Sequence, residues 1–153
     1  MSRASIAEAR VFEAWRNFQE ALKLTIAPLT EEQLGLRLRP DLRSVGEIAE
    51  HIAYGRALWL KNIQAESAAD LEALLAWDDP NDPPRTVAEV LAGLDESWAR
   101  LSAYLMRGSA DDEYSEEDEE RLYIIWGMID HDLPHGGEIS LILGAHGLPA
   151  LSL

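Results

Sequence analysis

At 153 residues and 17.0 kDa, with 47% apolar and 27% charged residues, the chain has the size and composition of one globular domain, expected to span residues 1–153 around a single core. Its formal net charge of −15, from 28 acidic and 13 basic residues without a basic stripe, excludes the counterion-displacing contacts that nucleic acid requires and repels anionic membrane surfaces. No stretch reaches the roughly twenty apolar residues of a membrane span, residues 1–10 carry no secretory pattern, and cysteine is absent, so a cytoplasmic location is expected and metal ligation falls to His, Asp and Glu.

Helix starts are read from S/T-x-x-E/Q/D, in which the first side chain covers an orphan backbone N–H and the third residue on reaches back. Ser5 with Glu8, Thr30 with Gln33, Ser44 with Glu47, Thr86 with Glu89 and Ser115 with Asp118 all fit. In the first helix Val11, Trp15, Phe18, Leu22 and Thr25 form one apolar stripe that Pro28 ends; Thr30 to Leu34 follows as a short turn. The second carries Ile48, Ile52, Gly55 and Trp59 on one face, with His51 beside Ile48 and Ile52 and therefore pointing inward. From about Gln64 to Arg85 the connection is longer than a tight helical hairpin needs, and Asp78 to Pro84 is rich in Pro and Asp. Leu71, Leu74, Leu75 and Trp77 predict a short packed helix within it.

The third helix places Val87, Leu91, Leu94, Trp98, Leu101 and Leu105 at intervals of three and four, with Gly108 as its stop. The acidic run Asp111 to Glu120 enters the fourth helix at its positive end and reads as a solvated face. There the inward stripe is Ile124, Met128, His131, His135, Ile139 and Ile142, closed by Gly144, Gly147 and Pro149; Pro134 is expected to kink it. Strand alternation is missing. The expected fold class is all-α, a four-helix bundle whose long crossover lets the second and third helices run parallel, up-down-down-up.

His131 and His135 stand one turn apart, so both imidazoles can reach one ion; an isolated pair of this kind is also explained as two histidines bonded to neighbours. His51 adds a third imidazole on an apolar stripe, where an unsatisfied ring nitrogen costs about 1–3 kcal/mol. One divalent metal satisfies all three, and three His ligands without Cys leave positions open for water or substrate. Zinc or nickel is expected before iron or copper, although three imidazoles suit each. Glu47, Asp132 and Glu138 are candidates to orient a ligand, Glu138 also as a base; Glu47 is already explained by its capping box. His146 reads as structural, at a helix end. Trp59, Trp98 and Trp126 read as core or pocket wall, and phosphate loops and nucleophile elbows are missing.

Two stretches, Leu-Arg-Pro-Asp-Leu-Arg-Ser-Val-Gly-Glu-Ile-Ala-Glu-His ending at His51 and His-Asp-Leu-Pro-His-Gly-Gly-Glu from His131 onward through Pro149, resemble the DinB-like (YfiT-like) superfamily of bacterial metal-binding four-helix bundles, and the likeness runs through most of the chain. The resemblance implies His51, His131 and His135 as the metal triad, the up-down-down-up bundle and frequent homodimers. It also implies kinship with enzymes that use low-molecular-weight thiols, such as mycothiol-dependent maleylpyruvate isomerase and bacillithiol transferases, and with members of no known activity. Glu138 stands where the family often has Gln, and Pro134 where it has no Pro, which bears on pocket polarity and ligand spacing. The expected function is that of a metal-dependent thiol S-transferase acting on a small-molecule substrate, with Glu138 or water handling the proton. The alternatives are a metal-dependent hydrolase on the same site and a non-catalytic metal or small-ligand binding protein.

Overall fold

The computed structural model describes residues 3–63, 71–79, 81–106 and 116–152, without the side chains of 3–8, 116–118, 120 and 121. Among the described residues every regular element is helical: α1 Arg3–Ile26, α2 Glu31–Leu34, α3 Val45–Asn62, α4 Val87–Leu105 and α5 Glu116–Ala145, with a 3₁₀ turn at Leu74–Ala76 before α4. The all-α expectation holds. The capping boxes of Thr30, Ser44 and Thr86 are all formed, each oxygen accepting from the backbone three residues on while that residue's side chain accepts from the cap; such a cap contributes about 1 kcal/mol. The proposed start at Ser5 is corrected, because α1 is already helical at Arg3. Ser115, Gly108 and the first part of the acidic run lie outside the described residues.

α3 packs along both α4 and α5, and α1 touches the same two helices, so the four long helices enclose one core. Trp15, Phe18, Leu22 and Ile26 of α1, Ile48, Ile52 and Leu60 of α3, Leu94 and Leu101 of α4, and Ile124, Met128, Ile139 and Leu143 of α5 are buried there. Full burial of such a side chain contributes about 1.5–3 kcal/mol. Close helix packing depends on four glycines whose missing side chain leaves room for a ring: Gly55 for His131, Gly93 for Trp77, Gly127 for Trp59 and Gly136 for Phe18. The 3₁₀ turn packs on α3, with Leu71 and Leu74 buried, which fills the crossover as its leucines predict.

α5 runs through Pro134 as one helix, with the ring of the proline exposed to solvent. Its end is a Schellman turn: the Leu148 N–H donates to Leu143 O at 2.9 Å and Gly147 N–H to Gly144 O at 3.1 Å, with Gly147 at φ 72° where a side chain would be strained. Trp98 stacks on Phe12 and meets Trp15 edge-on in the core. Trp126 corrects the expectation of a core or pocket-wall tryptophan, since it is 56% exposed on the outer face of α5. No helix among the described residues is long and apolar enough to cross a membrane.

Candidate metal centre

α3 delivers one imidazole to the bundle interior and α5 two. One ligand nitrogen from each of His51, His131 and His135 falls within 4.8 Å of the others, and the ring centroids are 4.8 to 5.1 Å apart. The spacing arises because residues four apart on α5 share a face, and because Gly55 brings α3 close to the His131 ring.

Each of the three rings is held from behind by a different carboxylate. Nδ1 of His51 donates to Asp78 Oδ1 at 2.9 Å, Nδ1 of His131 to Asp132 Oδ1 at 3.2 Å, and Nδ1 of His135 to Glu138 Oε2 at 2.7 Å. A carboxylate only accepts, so these bonds put the proton on Nδ1 and leave Nε2 as the free lone pair. The side chains are about one-fifth exposed, at 18%, 19% and 21%, which leaves them open to a small molecule while most of each ring is dry. Burial pushes the His51 imidazole below its ordinary range, against the opposing Asp78 bond, so the ring is neutral and competent as a ligand at neutral pH. Tyr54 stacks on His51 at 5.9 Å and forms part of the wall.

Asp132 is fully buried, and its two oxygens face different neighbours. Oδ1 holds His131; Oδ2 accepts from Trp15 Nε1 at 2.9 Å, Arg56 Nε at 2.9 Å and Arg56 Nη2 at 2.7 Å. Arg56, also fully buried, donates through Nη1 to Gln19 Oε1 at 2.8 Å, and Gln19 Nε2 donates to Leu94 O at 3.2 Å. Burial pushes the Asp132 carboxyl up, but the Arg56 charge and the converging donors hold it below its usual range. It is therefore an anion inside the bundle.

Of the sequence-predicted orienting carboxylates, Glu138 and Asp132 reach their histidines and Glu47 does not. Glu47 is taken up by Arg37 and by the Ser44 backbone N–H; burial raises its pKa, but those partners bring it below the usual value. Asp78 serves His51 in its place, and its only sequence signal is its position in the Asp- and Pro-rich stretch. Glu138, expected as orienter or base, has one oxygen committed to His135. His146 stays outside the cluster, its Nε2 donating to Arg37 O at 3.1 Å. A cavity of about 660 Å³ is lined by Asp78, Arg43, Trp77, Glu50 and Arg85 and by none of the three histidines; Asp78, which also pairs with Arg43 at 2.9 Å, is the residue it shares with the centre.

Three imidazole nitrogens, each ring held at Nδ1 by a carboxylate and with no thiolate among them, fit a divalent ion of the zinc, nickel, iron or copper kind. Residues 13–139 match the family described as the DinB superfamily. Among solved structures the chain is similar to one described as a DinB-like protein from Bacillus cereus ATCC 10987, with a TM-score of 0.65 and 14% identity over 94% of this chain and 95% of that one; at that identity the likeness is one of fold. No curated protein matches the chain.

Proposed function

This chain belongs to the DinB superfamily, and on that premise we propose that it binds one divalent metal through His51, His131 and His135 and acts as a metal-dependent enzyme of the low-molecular-weight-thiol S-transferase type. The observation that carries the reading is the convergence of three imidazole nitrogens within 4.8 Å, each ring fixed by its own carboxylate. A bound ion of this type supplies Lewis acidity that lowers the pKa of a thiol or water beside it. The chain's own residues do the rest. Asp78, Asp132 and Glu138 keep the Nδ1 protons in place and so keep the Nε2 lone pairs available; the Tyr54 ring and the helix walls limit water; the proton of an incoming thiol leaves to solvent past the partly exposed rings.

Pairing of two copies belongs to the same proposal. Tyr123, Trp126, Leu133 and Leu141 of α5 are 69%, 56%, 44% and 60% exposed, apolar surface of the kind that a second copy covers in homodimers.

Elemental analysis of untagged protein is the test. One equivalent of metal is expected in the wild type and loss of it in each of H51A, H131A and H135A. Metallated protein is then offered small thiols with an electrophilic acceptor beside ester, amide and phosphate substrates. Metal binding without turnover of either set leaves a binding protein, and wild-type protein that takes up no metal ends the proposal.

A further inference from the structure

Two dipeptides meet across the bundle: Gly55-Arg56 on α3 and His131-Asp132 on α5. A methyl group at position 55 would stand 2.7 Å from Nε2 of His131 and closer still to Cε1, so the bare backbone of Gly55 is what allows the ligand ring its place. One residue on, Arg56 binds Asp132 Oδ2 through two nitrogens at 2.9 and 2.7 Å, with Trp15 Nε1 on the same oxygen at 2.9 Å. Asp132 turns its other oxygen to His131 Nδ1. Arg56 and Asp132 are both wholly shielded from water.

A buried ion pair is weak evidence for stability, since apolar replacements of similar volume are often as stable or more so. Its retention here has a more specific explanation, because one oxygen of the pair is spent on the metal centre. We propose that Gly55, Arg56 and Asp132 are positioning residues that aim the His131 imidazole and thereby set metal affinity; this rests on the metal-binding reading above. Gly55 clears the ring's ligating edge, Asp132 fixes the rotation and tautomer, and Arg56 with Trp15 fixes Asp132.

The test pairs stability with affinity. In metal-free G55A, alanine suits helix α3 better than glycine and the His131 ring can swing aside, so the melting temperature is expected to hold or rise while the Kd for Co(II) or Zn(II), measured by chelator competition, weakens about 10- to 100-fold. R56M/D132L, an apolar replacement of the pair, is expected to weaken the Kd by a similar factor, and the visible absorption of the Co(II) form is expected to shift because one ligand is no longer held. Folded G55A with wild-type Kd and Co(II) spectrum overturns the inference, even if the double variant fails to fold. Wild-type protein that binds neither ion overturns the metal reading itself, whereas tight wild-type binding unaltered in both variants overturns only the positioning role.

Discussion

The aim of His51 depends on Asp78, twenty-seven residues further along the chain. Substituting D78N removes the charged acceptor behind the ring while leaving the ring in place, and metal affinity is expected to fall about tenfold by chelator competition, with metal-free stability changed by less than about 1 kcal/mol because the pairs Asp78 makes are part-exposed. Burial of His51 has a consequence for acid stability. The folded protein holds this imidazole below the value it has in the unfolded chain, so the unfolded state takes up more protons as pH falls through about 6.5, and metal-free stability is expected to decline there and be retained at higher pH. Denaturant titrations at pH 5.5 and 7.5 check this, and the difference should shrink in H51A. At this scale the three histidines that cluster were legible because a histidine on an apolar stripe is conspicuous. Their supports were less so. Glu138 lies three residues from its ring and Asp132 one, within range of local reasoning, but Asp78 acts across a loop, and Arg56 finds Asp132 from 76 residues away. An arginine on an amphipathic helix reads as a solvent-facing residue until its counterion is known.

Between elements, the crossover is tied to the bundle by Trp77, whose ring occupies the space over Gly93 of α4 and carries the Arg85 guanidinium 4.6 Å from its centroid. G93A would drive a methyl into that ring. Overpacking of this kind costs about 1–3 kcal/mol, against about 1 kcal/mol gained in helix propensity, so net destabilisation is the expected outcome of denaturant unfolding. The three inner helix starts were legible from their caps, since side chain and backbone there lie within four residues of each other. The glycine seats were not: a glycine within a helix looks only like a weak helix former until the ring from the other element is in view. Pro134, expected to kink α5, lies within one continuous helix and at its solvent face.

For the molecule as a whole, a formal charge of −15 is distributed over the surface of a small bundle, and self-repulsion opposes compaction most strongly when screening is weak. Raising NaCl from about 20 to about 300 mM, which shortens the Debye length from roughly 20 Å to under 10 Å, is expected to raise the melting temperature of the metal-free protein; each kcal/mol recovered reads as about 2–4 °C for a chain of this size. Calorimetry in a non-chelating buffer measures it. Attachment of the crossover adds a longer-range effect. The Trp77 ring is seated over Gly93 of α4 and the next residue, Asp78, restrains His51 on α3, so metal uptake at the proposed centre is expected to be thermodynamically linked to docking of residues 71–79. Slower amide deuteration around Gly93 on addition of Zn(II) is the expected outcome, a remote gauge read from a helix that lends the proposed centre no histidine.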